Sequence, residues 1–274
     1  MKILFIGDIF GSSGRSVLAT NLKKIIEEQS IDLVIANAEN SAHGKGITEK
    51  IYRQLSSYGI NFFTMGNHTW AKKEGLPVLE MSNVVRPHNL KEEFAHSNIG
   101  LGSKLFVCKG LKIRITNLLG NSVYFKHMQE NAFVSMKNLL EAVDKPDVHI
   151  VDLHAETTSE KYAFLWAFNG QVDAILGTHT HVPTNDACIT KEGTAFMCDV
   201  GMTGPAHGVI GGKKDEIINK FFNPSVSFTL EVQKGPKQLC SVILEFDEDK
   251  KRMSKITPLI IREGFEWLGK SNIY

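Results

Sequence analysis

The first part of the chain alternates short apolar runs with amphipathic ones, and this order constrains the fold more than any other feature. The apolar runs at residues 2–7, 32–37 and 61–66 have the length of strands. Between them, residues 15–30 and 48–59 carry apolar side chains at helical spacing. The order strand, helix, strand, helix, strand predicts a parallel sheet with helices on its faces.

The middle of the chain adds further elements of both kinds. Residues 104–119 look like two strands around a Lys-Gly turn, and residues 130–143 are helical. The apolar runs at 147–154 and 172–179 predict two more strands with a helix between them. After about residue 185 the pattern turns to β, and we expect antiparallel strands that complete a second sheet. The segments concerned are 196–201 (FMCDVG), 225–232 (SVSFTLEV), 240–246 (CSVILEF) and 254–261 (SKITPLII).

Length and composition exclude several function classes. The 274 residues contain no repeat and no clear linker, so we expect one α/β domain over residues 1–274 with two stacked sheets flanked by helices. The 31 basic and 30 acidic side chains leave a net charge of +1, which argues against a long nucleic acid as partner. No apolar run approaches the ~20 residues of a membrane span. We therefore expect a cytoplasmic protein without a membrane partner.

Polar side chains follow five of the predicted strands, at the points where the strands end. Because the carboxyl ends of parallel strands meet at one edge of a sheet, these side chains are expected to share one crevice. Taken singly, each is a common turn, cap or core residue, but their joint occurrence favours a site. The residues are Asp8, Glu39, Asn40, Asn67, His68, His154, His179 and His181.

The last of these strands runs into the sequence GTHTHVP at residues 177–183. His179 and His181 stand two apart, and in extended chain this spacing points both imidazoles to the same side. Two solvated loop histidines would produce the same pattern. The other strand ends favour the alternative, in which both imidazoles belong to a site.

The side chains at the strand ends are donors for metal ions. They combine carboxylates, carboxamides and imidazoles without a thiolate, which suits manganese, iron or zinc in an open catalytic site. There are enough donors for two ions, and two ions ~3.5–4 Å apart are a recurring device for hydrolysing phosphate esters. Glu39 is the best-placed carboxylate to bridge such a pair.

The same motifs resemble those of a known superfamily. GD after the first strand, GNH after the third, a lone histidine and then GTHTH are similar to the calcineurin-like metallophosphoesterases. The sequence departs from that pattern at Phe10, where a histidine is usual, at Glu39, where an aspartate is usual, and at Thr69, where an acid is usual. These departures resemble the bacterial YmdB-like branch of phosphodiesterases, together with GDIFGSSGR, ANAENSAHGKGIT, RPHN, DLHAETTSEK, GTHTHVPTND and DVGMTGP.

The resemblance implies a four-layer αββα sandwich of two mixed β-sheets flanked by helices. It also implies two transition-metal ions per chain, iron or iron with manganese, and hydrolysis of cyclic nucleotides and simple phosphodiesters by a metal-bridging hydroxide. One ion would be held by Asp8, Glu39, Asn40 and His181, and the other by Glu39, Asn67, His154 and His179. Glu39 would bridge the ions, and Asn40 would replace the histidine missing at position 10.

His68 is left without a metal in this assignment. In the family the matching histidine is the proton donor to the departing sugar oxygen, a role that suits an imidazolium. The alternative is that His68 only orients the phosphate.

Several assignments stay open at this point. A phosphomonoesterase or 5′-nucleotidase would use the same site, and a regulatory protein that binds metal or nucleotide with weak catalysis would keep much of it. The partner expected is a small nucleotide or phosphodiester, and the apolar late strands would allow pairing of two copies. His43 and His207 are candidates for the substrate rim, with solvent exposure as the alternative for His43. Trp70, beside His68, could stack on a base, but we expect it to pack in the core. His149 is expected to be packed, and Glu156 is a candidate for orienting His154.

Overall fold

The computed structural model describes residues 1–126, 128–227, 229 and 231–264. Within these residues the helices are α1 (Gly11–Gln29), α2 (Glu49–Ser57), α3 (Ala132–Ala142), α4 (Thr158–Phe168) and α5 (Lys214–Phe222), with a 3-10 helix at Lys73–Glu80. The strands are β1 (Lys2–Ile6), β2 (Asp8–Ile9), β3 (Leu33–Asn37), β4 (Phe62–Thr64), β5 (Ser103–Cys108), β6 (Leu111–Leu119), β7 (Val148–His154), β8 (Ala174–Thr178), β9 (Cys188–Ile189), β10 (Ala195–Met197), β11 (Met202–Pro205), β12 (Lys237–Asp247) and β13 (Arg252–Arg262). In the part of the chain so described, no helix combines the length and apolar character needed to span a membrane.

The strands form two mixed sheets. In the first, the order is β2-β11-β12-β1-β3-β4, and β13 pairs with β12. In the second, the order is β5-β6-β7-β8-β10-β9. The strands β1, β3 and β4 run parallel to one another, as do β6, β7, β8 and β10 in the second sheet.

Alternation along the strands assigns each side chain to one of two faces. In β1, Leu4 and Ile6 pack with the apolar faces of α1 and α2, whereas Ile3 and Phe5 face the second sheet. The second sheet meets them with side chains such as Ile113 and packs its other face on α3 and α4. Each large apolar side chain buried in this way contributes about 1.5–3 kcal/mol. The result is the four-layer αββα sandwich implied by the sequence resemblance, which is confirmed.

Helix α1 begins four residues before the predicted start at residue 15. Its first turn, GSSG, has no apolar side chains, so periodicity could not detect it. A Cβ atom on Gly14 would lie 2.3 Å from the carbonyl oxygen of Thr203, so only glycine lets α1 approach β11 this closely. The start of α1 is also tied to the loop after β3 because the Gly11 N–H donates to the Asn40 carbonyl at 2.9 Å.

Two of the late strands, β12 and β13, differ from the prediction that they complete the second sheet, whereas β10 does lie in that sheet. The middle of β12 pairs antiparallel with β1, in the register Ile3 with Leu244, and β13 pairs with β12, so both strands belong to the first sheet. The reason is that β1 has β3 on one edge only, and β12 satisfies the backbone groups of the other. Alternation along a strand specifies its faces but not its neighbours.

Two segments after residue 205 also differ from the β pattern expected there. Helix α5 is absent from the prediction, although Ile217, Ile218, Phe221 and Phe222 stand at helical spacing. Of the predicted strand at 225–232, residues 228 and 230 lie outside the described residues, and Val232 makes an isolated bridge with Gly212. The prediction of one domain over 1–274 likewise includes residues 265–274, outside the described part.

The two sheets are joined by a polar contact at the carboxyl ends of their strands. The Asn37 side chain, at the end of β3, donates to the Asp152 carboxylate of β7 at 3.0 Å, and both residues are fully buried. The loops that follow β1, β3, β4, β7 and β8 therefore gather on one side of the sandwich, where all the candidate donors lie.

Candidate metal centre

Three predicted ligands lie at the centre of the site. One donor atom from each of Glu39, His154 and His179 lies within 4.8 Å of the other two. The Nε2 atom of His154 is 3.1 Å from Oε1 of Glu39 and 3.0 Å from Nδ1 of His179. The Asn67 side-chain oxygen lies 3.0 Å from the same Nε2 atom. Four side chains from four loops and strand ends thus converge on one point.

Asp8 supplies a second carboxylate beside this group. Its Oδ2 atom accepts a hydrogen bond from the His179 backbone N–H at 3.2 Å. Its Oδ1 atom is buried without a hydrogen-bond partner, 3.9 Å from His154 Nδ1 and 4.0 Å from His181 Nε2. Burial raises the pKa of Asp8 to about 6. A buried carboxylate oxygen without a donor is costly, and a bound cation would satisfy it.

Asn40 and His181 lie next to Asp8. The Asn40 amide group donates to the Gly44 carbonyl at 2.9 Å, which turns the amide oxygen toward His181 Nε2 at 3.3 Å. On the other side of the imidazole, Nδ1 of His181 lies 2.8 Å from the Ile210 carbonyl oxygen. This second contact leaves Nε2 as the nitrogen that faces Asn40 and Asp8.

Phe10 occupies the place where the superfamily pattern has a histidine. Its ring is buried and meets the His181 ring edge to face, with the ring centroids 5.3 Å apart. Added Cβ atoms on Gly44 and Gly211 would lie about 3 Å from the Phe10 ring, so both glycines make room for it. Phe10 therefore packs against the site and offers it no donor atom.

The other nitrogen of His154 has its own partner. Nδ1 lies 2.8 Å from the Thr178 hydroxyl oxygen, and that hydroxyl donates to Oδ1 of Asp152 at 2.7 Å. Since the Thr178 proton is committed to Asp152, Nδ1 of His154 must be the donor, and its Nε2 atom faces the site. Sequence reasoning missed Asp152 and Thr178. The available signal was the period of two that puts Asp152 and His154 on one face of a strand.

The charges of the site favour a cation at its centre. Burial alone would lower the pKa of His154, but the adjacent Glu39 carboxylate raises it to about 9. Burial would also raise the pKa of Glu39, but the neighbouring imidazoles hold it well below its usual range. The negative field that favours a proton on His154 equally favours a metal ion in its place. Carboxylate, amide and imidazole donors around an unsatisfied buried oxygen therefore fit a transition metal.

His179 and His181 are held in unusual backbone conformations. Their φ angles are 97° and 67°, a region that side chains other than glycine rarely adopt. The Nε2 atom of His179 lies 3.0 Å from Oε2 of Glu156, and burial lowers the pKa of His179 to about 3. The prediction that Glu156 orients His154 is therefore wrong. His154 is fully buried and bonded to Thr178, so the half-exposed Glu156 reaches His179 instead.

Gly66 is a further site residue that sequence reasoning missed. A Cβ atom at this position would lie 2.4 Å from Glu39 Oε2 and 2.5 Å from His154 Nε2. Any side chain here would occupy the space between the two donors. The glycine of the GNH motif was the signal for this requirement.

His68 lies at the edge of the donor group. Its backbone N–H donates to Oε2 of Glu39 at 2.8 Å, and burial lowers the pKa of its imidazole. Its side chain lines a cavity of about 350 Å³ that opens beside the donors. The other residues around this cavity are Phe10, Glu39, Asn40, Gly44, Glu156, His179, Thr180, His181 and Ile210.

The proposed rim residues divide between packing and exposure. Trp70 packs on Phe94 and Phe125, with ring centroids 4.9 and 5.0 Å away, as expected of a core residue. His149 is buried in β7, which confirms that it is a packed residue. His43 and His207 are both exposed, and neither lines the cavity beside the donors.

Comparisons with known proteins agree with the sequence motifs. A family model described as YmdB-like protein matches residues 4–259. A protein of Bacillus subtilis named 2′,3′-cyclic-nucleotide 2′-phosphodiesterase is 39% identical over 96% of this chain and 98% of its own length. A Mycoplasma genitalium protein whose name describes a phosphatase or phosphodiesterase is 45% identical over 95% of this chain and 93% of its own length.

A solved structure shows the same likeness in three dimensions. The crystal structure of a phosphatase from Mycoplasma pneumoniae superposes with a TM-score of 0.92 at 45% identity, covering 96% of this chain and 93% of that one. Sequence and structure therefore agree over nearly the whole chain, and the resemblance drawn from the motifs is confirmed. The chain belongs to the family of YmdB-like proteins.

Proposed function

We propose that this protein is a metal-dependent phosphodiesterase that hydrolyses cyclic nucleotides and simple phosphodiesters on two transition-metal ions. Phosphoesterase activity follows from membership of a family whose relatives are named phosphatase or phosphodiesterase. The observation that carries the metal-dependent part is the convergence of Glu39, His154 and His179 beside the unpartnered buried oxygen of Asp8.

We divide the donors into two groups that share Glu39. His181 Nε2 lies near Asp8 and Asn40, and His154 Nε2 lies near Asn67 and His179. We assign one ion to each group, with Glu39 bridging, and iron ahead of manganese as the metal. Two bound ions of this kind activate a water molecule as nucleophile and neutralise charge on the phosphoryl oxygens.

His68 is the residue that we assign to protonate the leaving group. Its imidazole lines the cavity beside the donors, while its backbone N–H is already used to hold Glu39. Burial lowers the pKa of this imidazole, and the negative charge of a bound phosphodiester opposes that shift. The imidazole is thus placed to carry a proton when a substrate is bound and to release it to a departing alkoxide.

The size of the cavity favours a small substrate. A volume of about 350 Å³ lies at the small end of the ~300–1,000 Å³ typical of ligand sites. The Bacillus subtilis relative is named for 2′,3′-cyclic nucleotides, which are small substrates. A cyclic nucleotide also carries one negative charge, so the donors need not accommodate a dianion.

A paired assay tests this function. Metal-stripped protein is reloaded with Mn²⁺ or Fe²⁺ and offered 2′,3′-cyclic AMP, bis(p-nitrophenyl) phosphate and the monoester p-nitrophenyl phosphate. We expect metal-dependent turnover of the two diesters that exceeds turnover of the monoester. Equal or faster hydrolysis of the monoester would favour a phosphomonoesterase or 5′-nucleotidase. Binding of metal and nucleotide without turnover would favour a regulatory protein.

A further inference from the structure

A buried ion pair lies directly beneath the loop that carries His179 and His181. The Lys161 ammonium group, on α4, is 2.7 Å from Oδ2 of Asp199, and both side chains are 1% exposed. Burying two charges costs desolvation energy, so a buried ion pair is by itself weak evidence of a stabilising role.

Three further hydrogen bonds of the pair go to Thr178 and Thr180, the two neighbours of His179. Lys161 donates to the Thr178 carbonyl oxygen at 3.0 Å. Oδ2 of Asp199 accepts from the Thr180 backbone N–H at 3.1 Å and from the Thr180 hydroxyl at 2.8 Å. The pair therefore hydrogen-bonds to the backbone on both sides of His179.

The backbone of His179 and His181 has a strained conformation, which these hydrogen bonds stabilise. His179 and His181 have φ angles of 97° and 67°, and such conformations persist only where the surroundings enforce them. Asp199 is itself fixed, because its second oxygen accepts the Gly201 N–H at 2.8 Å. The ion pair thus connects the loop that carries His179 and His181 to α4 and to the segment after β10.

We propose that Lys161 and Asp199 are positioning residues that hold His179 and His181 in the geometry needed to bind metal. This inference rests on the proposed function of the site. Neither residue was singled out from the sequence, and neither lines the cavity beside the donors.

The test measures Mn²⁺ binding by metal-free protein with isothermal titration calorimetry. The variants are Lys161→Met, Asp199→Asn and the double variant Lys161→Met/Asp199→Leu. The double variant removes both charges, so it avoids leaving one of them buried and unpaired. Arg86→Met is the control, because Arg86 is also buried but donates to the carbonyl oxygens of Pro87 and Ser97 rather than to the loop that carries His179 and His181.

We expect each ion-pair variant to bind Mn²⁺ about 10–100-fold more weakly, the usual effect of losing a group that orients a ligand. The metal-dependent rise in melting temperature should shrink in step, and kcat at saturating metal should fall more than KM changes. Arg86→Met should lower the melting temperature and leave the affinity for Mn²⁺ unchanged.

Two outcomes separate this proposal from the proposed function. If the double variant folds and binds Mn²⁺ as tightly as the wild type, the Lys161–Asp199 pair is purely structural and the positioning role is overturned. If the wild type itself binds no Mn²⁺, the metal-dependent function fails instead. Should the ion-pair variants not fold, Thr180→Val removes only one hydrogen bond to Asp199. Unchanged Mn²⁺ affinity in that variant would also overturn the proposal.

Discussion

Thr178 receives a hydrogen bond from Nδ1 of His154, at 2.8 Å, in the fully buried interior of the site. Because the Thr178 hydroxyl donates its own hydrogen bond to Asp152, this contact fixes which nitrogen of His154 faces the other donors. An uncharged hydroxyl between a histidine and a carboxylate thus orients the histidine without placing a further charge beside it.

Replacing Thr178 by valine should therefore weaken metal binding. The variant keeps the shape of the side chain and loses the hydrogen bond that orients His154, so we expect a roughly 10–100-fold loss of Mn²⁺ affinity in calorimetry. Thr178→Ser, which keeps the hydroxyl, should stay close to the wild type. Equal affinity in the valine and serine variants would contradict the orienting role.

Removing Glu39 should cost the protein both of its metals. The wild type should contain close to two transition-metal ions per chain by elemental analysis, and Glu39→Ala close to none, because a bridging carboxylate interacts with both ions. Glu27→Ala, on the exposed face of α1, is a suitable control. Full retention of one ion in Glu39→Ala would show that Glu39 does not bridge.

His68→Ala should lose activity in a way that depends on the leaving group. The variant should keep both metals, since Asn67 rather than His68 is the assigned ligand, and the chemical step on 2′,3′-cyclic AMP should fall by about 10²–10⁴-fold. The loss on bis(p-nitrophenyl) phosphate should be much smaller, because p-nitrophenolate departs without a proton. If both substrates slow by the same factor while chemistry limits the rate, His68 orients phosphate and donates no proton.

The stability of the fold should fall in mild acid because of His149. Burial lowers the pKa of this imidazole to about 3, whereas in the unfolded chain it is about 6.5. Above pH 6.5 the His149 imidazole is neutral in both the folded and the unfolded state, and its contribution to the stability is fully present. As the pH falls from about 6.5 toward 3, only the unfolded chain takes up the proton, so the folded state loses stability.

The check is chemical denaturation of wild type and His149→Gln between pH 4.5 and 8. Below pH 6.5 the free energy of unfolding of the wild type should decline more steeply than that of the variant. The difference in slope should correspond to about one proton taken up on unfolding. The exposed His43→Gln serves as control and should follow the wild type. Parallel curves for wild type and His149→Gln would mean that His149 does not titrate on unfolding.

The residues that could be predicted from the sequence are those at the ends of apolar strands. Asp8, Asn67 and His181 interrupt or follow runs of apolar residues, so both the strand and the polar residue that ends it are visible in one dimension. The structure brings these side chains together, as the common edge of parallel strands requires.

The supporting residues could not be found in this way. Lys161 lies in α4, where a lysine is usually read as solvent-exposed, and only the position of Asp199 across the fold shows that it is buried. Asp152 lies inside β7 and Thr178 is the last residue of β8, and the hydrogen-bond partners of both belong to other strands. The placement of β12 beside β1 was missed for the same reason, since pairing between distant segments leaves no local pattern.

The residues of the candidate metal centre lie far apart in sequence and are therefore synthesised at different times. Asp8 and His179 are joined by a hydrogen bond across 171 positions of sequence. The strand that leads to Asp8 is completed by β12, at residues Lys237–Asp247. During synthesis, the donors around Asp8 are complete only after residue 181, and the sheet edge beside β1 is complete only after β12. We therefore expect the proposed metal centre to form late in synthesis, and a chain truncated before β12 should be unable to bind Mn²⁺.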